Sequence, residues 1–262
     1  MAAIFEGVDD LIDRALGIAH IGNAPHYRHK TSALLLRSRP LGLNVPSLLD
    51  GIRNKLYQNW SLGQERRARR GSAENWRWEK KTWISNSNSS VEKQCEKAIA
   101  LECGDDWVNQ VPTASGLIDG KSERHCDIDL VHRCGPSAYE FIELKYEDAT
   151  PLFAAFELLK YGMLYVFSHD FMMELGYTFE EKPVLAAREV HLCVLAPADY
   201  YAGFTLDWLE KELNLGLRTI GGSAYRMDFR FEKMDWPDGG DVVSALATRS
   251  RVCHWAKAAS GS

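Results

Sequence analysis

Two short apolar segments that carry charges at alternate positions constrain this chain more than any other feature. The first runs from residue 126 to 132 and the second from 138 to 146, with Gly135-Pro136-Ser137 between them. Glycine, proline and serine are residues that turns favour, and the side chains of a strand alternate between its two faces. The sequence therefore predicts a β-hairpin in which each strand presents charge from an otherwise apolar run.

The charged residues of this hairpin fall on one face of each strand. Alternation places Glu143 beside Lys145 in the second strand and Asp127 beside Asp129 in the first. We expect Asp129 to be the partner of Glu143, because its spacing suits a short hairpin better. Asp127 remains a competing choice, because it shares the face of Asp129.

Carboxylates on two paired strands form a site of the kind that a hard divalent cation prefers. Mg²⁺ binds oxygen atoms in octahedral geometry and keeps several waters, so two carboxylates and one carbonyl suffice to hold it. The predicted ligands of Mg²⁺ or Mn²⁺ are Asp129, Glu143 and the carbonyl of Leu144, with Asp127 as the alternative aspartate. A neighbouring lysine can orient or deprotonate a water for phosphodiester hydrolysis, and this is the role predicted for Lys145.

Patterns on both sides of the hairpin predict the rest of the fold. The capping-box sequence Ser89-Ser90-Val91-Glu92 begins a helix that runs to about Leu101. Thr150-Pro151 begins a second helix, which is apolar from 152 to 167, and residues 190–196 form a further strand. The order helix, strand, strand, helix, strand predicts a mixed α/β arrangement with a helical crossover after the hairpin.

Glu92 has two interpretations. Glutamate occupies the third position of a capping box for purely local reasons, but a carboxylate on this helix would also approach the hairpin as a metal-site residue. Glu96 lies one turn further on and is the fallback, although an exposed glutamate on a charged helix face is its commonest role.

A family resemblance enters through the two hairpin strands. Asp129-Leu130-Val131 followed by Glu143-Leu144-Lys145 resembles the PD-(D/E)XK nuclease motif, and Ser90-Val91-Glu92 is similar to the helix glutamate of Holliday-junction resolvases in that superfamily. The resemblance spans residues 89–167. Cys126, rather than proline, precedes Asp127, so the first motif departs from the family pattern.

The resemblance implies a restriction-endonuclease-like α/β fold, in which a central mixed sheet is flanked by helices. It implies Glu92, Asp129 and Glu143 as metal-site carboxylates and Lys145 as the catalytic lysine. The implied activity is Mg²⁺- or Mn²⁺-dependent hydrolysis of nucleic-acid phosphodiesters, with DNA favoured because most relatives act on DNA.

Two other readings of the same residues are open. The chain could be a non-catalytic protein that keeps the nuclease-like fold as a DNA-binding or partner-binding scaffold, although intact acidic and lysine positions argue against it. It could also be an unrelated α/β protein, in which case Asp129 would lie far from Glu143.

The N-terminal third of the chain has helical periodicity in residues 7–19 and 46–60. The polar and basic segment from Ser61 to Ser90 is typical of a mobile connection between two parts. We therefore expect an N-terminal helical portion with a basic connecting segment at 1–88 and a nuclease-like α/β core at 89–262.

The basic segment is the expected nucleic-acid contact. A chain of formal net charge -5 needs a local positive track to bind phosphates. The predicted phosphate-binding residues are Arg66, Arg67, Arg69 and Arg70. The accompanying tryptophans are suited to stacking on exposed bases or to packing against the core; they are Trp60, Trp76, Trp78 and Trp83.

Composition also bounds where the chain is expected to act. The first 19 residues are acidic, no apolar run reaches membrane-spanning length, and the cysteines are scattered without CxxC pairs. We expect a cytoplasmic protein with reduced thiols and no membrane partner. Its oligomeric state, a homodimer included, is open.

Overall fold

The computed structural model describes residues 3–18, 26–64, 71–83, 90–118, 126–237 and 240–253. In these ranges the protein is an α/β structure built on one six-stranded mixed sheet, whose strands are neighbours in chain order. The strands are β1 (Trp107–Pro112), β2 (Asp127–Gly135), β3 (Ala138–Leu144), β4 (Glu189–Ala196), β5 (Arg226–Lys233) and β6 (Ser250–Arg251).

Helices surround this sheet and also form most of the N-terminal part. They are α1 (Val8–Ala15), α2 (Lys30–Leu35), α3 (Val45–Gln64), α4 (Val91–Glu102), α5 (Pro151–Asp170), α6 (Met172–Leu175), α7 (Asp207–Leu217) and α8 (Val242–Ala247). The helices predicted in the N-terminal third are confirmed as α1 and α3. Among the described residues, no helix combines the length and the apolar content needed to cross a bilayer.

The predicted hairpin is confirmed as β2 and β3. The two strands are antiparallel, with Leu130 opposite Ile142 and Val131 opposite Phe141. Strand β1, which the sequence analysis did not identify, pairs antiparallel with the other side of β2. Because β2 is therefore an interior strand, any charge on its inward positions is surrounded by protein.

The predicted crossover is also confirmed. The hydroxyl of Thr150 accepts a hydrogen bond from the Phe153 amide at 3.1 Å, and Pro151 is the first residue of α5, as helix N-termini favour. Helix α5 is buried along most of its length and leads to β4, which is parallel to β3. Parallel strands need such a crossover, and it brings one face of α5 against the hairpin.

The predicted capping box at the start of α4 is wrong by one residue. Ser90, not Ser89, is the N-cap, and its hydroxyl accepts a hydrogen bond from the Lys93 amide at 3.3 Å. Glu92 is consequently the second residue of the helix. Its carboxylate accepts a hydrogen bond from the amide of Tyr146, beyond the end of β3, at 2.8 Å, so the interpretation of Glu92 as a local cap is wrong.

Residues 71–83 of the basic segment do not behave as a mobile connection. Trp76 is fully buried, and its amide donates to the carbonyl of Pro112 at 2.8 Å. Trp60 is buried as well, whereas Trp83 is 76% exposed, with the ammonium of Lys81 4.3 Å from its ring centre. Of these three tryptophans, Trp83 alone is available to a ligand.

The hydrophobic core is continuous between the N-terminal helices and the sheet. Ile12 of α1 and Ile52 of α3 belong to the same buried cluster as Leu159 of α5, Leu213 of α7 and Phe229 of β5. The boundary near residue 88 stays a prediction.

The contact between α3 and α7 generates a stability prediction. A methyl group added at Gly216 of α7 would meet Cγ1 of Val45 at 2.4 Å, whereas one added at Gly51 of α3 would meet Cδ1 of Leu11 at an ordinary 3.7 Å. We expect Gly216→Ala to lower the free energy of unfolding by about 1–3 kcal/mol through overpacking. The matched Gly51→Ala variant should raise it by up to about 1 kcal/mol through helix propensity. Urea unfolding curves check both values, and equal stabilities would contradict this packing.

Candidate active site

The structure brings Asp129 and Glu143 together on adjacent strands. Leu130 pairs directly with Ile142. Asp129 precedes Leu130 and Glu143 follows Ile142, so in these antiparallel strands the two acids are the next residues on the same side of that pair. The Leu144 amide donates to Oδ2 of Asp129 at 3.0 Å, so the aspartate binds the backbone of the residue whose carbonyl is the third predicted ligand. An incidental sequence match, with Asp129 far from Glu143, is not the arrangement found.

Lys145 lies between two carboxylates. Its ammonium is 2.6 Å from Oε1 of Glu143 and 3.3 Å from Oε2 of Glu157 on α5. Burial disfavours the charged lysine, but the charges of Glu143, Glu157 and Asp129 outweigh that cost and raise the pKa of Lys145. These two ion pairs favour the protonated form of Lys145, which donates to both carboxylates.

A second lysine, Lys93 of α4, binds the other carboxylate of the pair. Its ammonium is 3.0 Å from Oδ1 of Asp129 and 2.7 Å from Oε1 of Glu96. The second oxygen of Glu96 accepts from the Gln110 side chain at 3.2 Å. Burial and the charge of Asp129 raise the pKa of Glu96 well above its usual value. The fallback residue Glu96 is therefore buried in the site and not exposed on a helix face.

Glu92 lies at the rim of the same site. Its hydrogen bond to the Tyr146 amide holds it next to Lys145. Burial raises the pKa of Glu92, and the charges of Lys145 and Asp129 act on it in opposite directions. Both helix glutamates that the sequence analysis weighed thus approach the hairpin.

Carboxylates outnumber cations in this site, which we call the carboxylate cluster. Its acidic members among the described residues are Glu92, Glu96, Asp129, Glu143 and Glu157, and its cations are Lys93 and Lys145. Burial, followed by the charge of Asp129, raises the pKa of Glu143 well above its usual value. Oε2 of Glu143 is buried without a hydrogen-bond partner among the described residues.

An excess of carboxylates around a buried, unpartnered oxygen fits a divalent cation. Two carboxylates and a peptide carbonyl are the hard oxygen donors that Mg²⁺ or Mn²⁺ takes, with water completing the shell. Asp129, Glu143 and Leu144 carry donors of this kind on neighbouring backbone segments, so the chemistry of these residues fits the ion.

A different group meets a purely geometric test for a metal site. Among the described residues, three ligand atoms lie within 4.8 Å of one another at Glu140, Cys193 and Glu232. Both of these glutamates are ion-paired to the guanidinium groups of Arg230 and Arg249. The charge of both glutamates is already balanced by arginine. This group is therefore an ion-pair network, and it suits a metal ion less well than the carboxylate cluster does.

The remaining predicted residues are Asp127 and the four arginines of the basic segment. Asp127 is half-buried, and its charge acts on Arg77 and Lys81, whereas Asp129 is bonded within the carboxylate cluster. Arg66, Arg67, Arg69 and Arg70 lie outside the described residues, so their proposed phosphate contacts stay a prediction.

Sequence reasoning missed Lys93 and Glu157. Glu157 carried a usable signal, because it is a lone carboxylate within the apolar run of α5, where a charge needs a partner. Lys93 carried none, since Lys97 stands on the same helix and nothing in the sequence separates the two.

Comparisons of this chain with protein-family models, with curated proteins and with solved structures each gave no match. The site is therefore defined by its own geometry.

The raised pKa of Glu143 predicts a stability penalty in the absence of metal. An acid whose pKa rises on folding holds its proton longer in the folded state, so the free energy of unfolding falls as pH rises above the unfolded value. We expect Glu143→Gln to be more stable than the wild type at about pH 8 in EDTA, with the difference vanishing toward the usual glutamate pKa of 4.5. Thermal unfolding at several pH values measures this.

Metal should shift that stability difference in favour of the wild type. Mg²⁺ at about 100 times its Kd would stabilise the wild type by about 2.7 kcal/mol and leave Glu143→Gln unchanged. Glu180→Gln, at an exposed carboxylate outside the carboxylate cluster, is the control and should behave as the wild type. A Glu143→Gln variant that is less stable at every pH would contradict the penalty.

Proposed function

We propose that this protein is a Mg²⁺- or Mn²⁺-dependent nuclease of the PD-(D/E)XK kind, which hydrolyses phosphodiester bonds in nucleic acid, with DNA as the favoured substrate. The observation that carries the proposal is the excess of carboxylates around the unpartnered oxygen of Glu143, with Lys145 bonded to that same side chain. A buried carboxylate of raised pKa is costly to a fold, and such groups concentrate at functional sites.

The surrounding architecture supports the same proposal. Helix α4 precedes the hairpin and contributes Glu92, and α5 follows it and contributes Glu157. A mixed sheet between these helices agrees with the restriction-endonuclease-like fold that the resemblance implies. Fold alone does not determine function, so the site residues carry more weight.

Each side chain has a defined task in this proposal. Asp129 and Glu143, with the Leu144 carbonyl, would hold the ion, which when bound supplies a coordinated water of lowered pKa and offsets charge on the phosphate. Lys145, whose ammonium already contacts Glu143, would orient the water or a phosphate oxygen by donating a hydrogen bond. Glu157 is a positioning residue, because it holds the Lys145 ammonium from α5.

One observation favours the non-catalytic alternative. Lys93 and Lys145 already bond Asp129 and Glu143, so the carboxylate cluster is partly neutralised by the chain's own cations. A nuclease-fold scaffold that binds DNA would need no more than this. Metal-dependent cleavage separates the two functions.

We expect Asp129→Asn to abolish Mg²⁺-dependent nicking of supercoiled plasmid, because it removes one of two charged ligands. Lys145→Met should behave differently, since it keeps the aliphatic packing and both ligands. It should retain Mg²⁺ binding by calorimetry and lose about a hundredfold or more in turnover, the usual size of such a contribution.

Glu180→Gln, at an exposed carboxylate outside the carboxylate cluster, serves as the matched control and should nick plasmid at the wild-type rate. Circular dichroism verifies that each variant is folded. Full activity in folded Asp129→Asn would remove the metal-site proposal. Wild-type protein that binds DNA but cleaves with neither Mg²⁺ nor Mn²⁺ would leave the scaffold alternative.

A further inference from the structure

A pocket of about 440 Å³ opens next to the carboxylate cluster. Four aromatic side chains line it, and we call it the aromatic pocket: Tyr146, Tyr200, Phe204 and Trp236. Three of the four rings are half-buried, while Tyr200 is buried. Half-buried rings of this kind expose part of their surface to a ligand in the pocket.

The aromatic pocket adjoins the proposed catalytic residues. Tyr146 directly follows Lys145, and its amide is held by Glu92 at 2.8 Å. The hydroxyl of Tyr200 is buried without a hydrogen-bond partner among the described residues, and the charges of Lys145 and Glu143 act on it. A ligand in this pocket therefore lies beside the site proposed to hold the scissile phosphate.

The lining chemistry suits a flat, uncharged ring. Tyr146 and Trp236 already contact each other, with ring centroids 4.8 Å apart, and aromatic faces bind nucleobases by stacking whatever the base. Glu147 and Asp199 also line the pocket; they disfavour a phosphate there but can accept hydrogen bonds from the amino groups of a base. Lys30, the cation of the lining, can bind a neighbouring phosphate.

The size of the pocket limits the form of the substrate. Its volume falls in the range of small-ligand sites, about 300–1,000 Å³, which holds a single nucleotide and not a duplex. A base within a duplex is stacked on both sides and enters such a pocket only after it has been unpaired and rotated out.

We propose that the aromatic pocket binds one unstacked nucleobase next to the scissile phosphodiester, so that the preferred substrate is a strand with an unpaired base at the cleavage position. This inference rests on the proposed nuclease function, because it assigns the substrate form of that same site.

Binding of fluorescent oligonucleotides tests the inference, with Ca²⁺ in place of Mg²⁺ so that the strand is not consumed. Trp236→Ala and, separately, Phe204→Ala should weaken binding of a single-stranded oligonucleotide by about 5- to 150-fold, the equivalent of one lost base stack. Affinity for a blunt duplex of the same sequence should not change. Trp236→Phe retains a ring and should recover most of the loss.

Phe179→Ala is the matched control, because Phe179 is an exposed aromatic residue outside the pocket. Urea midpoints establish that each variant is folded, and Phe204→Ala provides a second route if Trp236→Ala unfolds. A 2-aminopurine base at the cleavage position gives an independent reading, since stacking quenches its fluorescence and loss of Trp236 should relieve the quenching.

The outcomes separate this inference from the proposed function. Folded pocket variants that bind single strands as Phe179→Ala does, or that lose equal affinity for both DNA forms, would overturn the aromatic pocket even where plasmid nicking occurs. The pocket would be supported and the nuclease proposal refuted if the pocket variants lose affinity for single-stranded DNA as predicted while the wild-type protein cleaves no DNA.

Discussion

The antiparallel pairing of β2 with β3 is the constraint on which the rest of the site depends. It places Asp129 beside Glu143 inside the sheet, where each charge makes the other more costly. Two like charges in a buried place persist only with compensating groups. Helix α4 supplies Lys93 to the first carboxylate, and Lys145 of the chain following β3 binds the second. Helix α4 therefore supplies a compensating charge to the site in addition to covering the sheet.

A second buried glutamate shows what full compensation looks like. Glu140, on the same strand as Glu143, is ion-paired to Arg230 and Arg249. Burial opposes its ionisation, but hydrogen bonds and the neighbouring guanidinium charges lower its pKa below the usual range. Glu140 is therefore a structural ion pair, whereas Glu143 keeps an unpartnered oxygen and a raised pKa. The two residues mark the difference between a buried charge that is fully compensated and one that is compensated only in part.

Local patterns were enough to predict the hairpin, α5 and β4. Each is defined by turn residues, a cap or an apolar run that acts over a few residues. Strand β1 was missed because Asn109 and Gln110 are polar but buried. They interrupt the apolar run by which a buried strand is usually recognised. Strand β5 was missed although Met227, Phe229 and Phe231 alternate regularly with charged residues.

The residues that helices contribute to the site were harder to predict than the residues of the hairpin and the chain after it. Asp129, Glu143 and Lys145 follow from alternation on two neighbouring strands. Lys93 and Glu157 come from helices whose rotation against the sheet is set by packing, and a single sequence does not encode that rotation locally. The capping residue of α4 was misplaced because Ser89 and Ser90 are equally suited to the position, and this one-residue shift changed the interpretation of Glu92.

Anomalous diffraction from crystals soaked in Mn²⁺ tests the metal site most directly. An Mn²⁺ peak in contact with the carboxylates of both Asp129 and Glu143 is the expected result, and it should be absent from crystals of Asp129→Asn. The contradicting result is a crystal in saturating Mn²⁺ that shows no anomalous peak between the two carboxylates. In that crystal the contacts of Lys93 with Asp129 and of Lys145 with Glu143 would be intact.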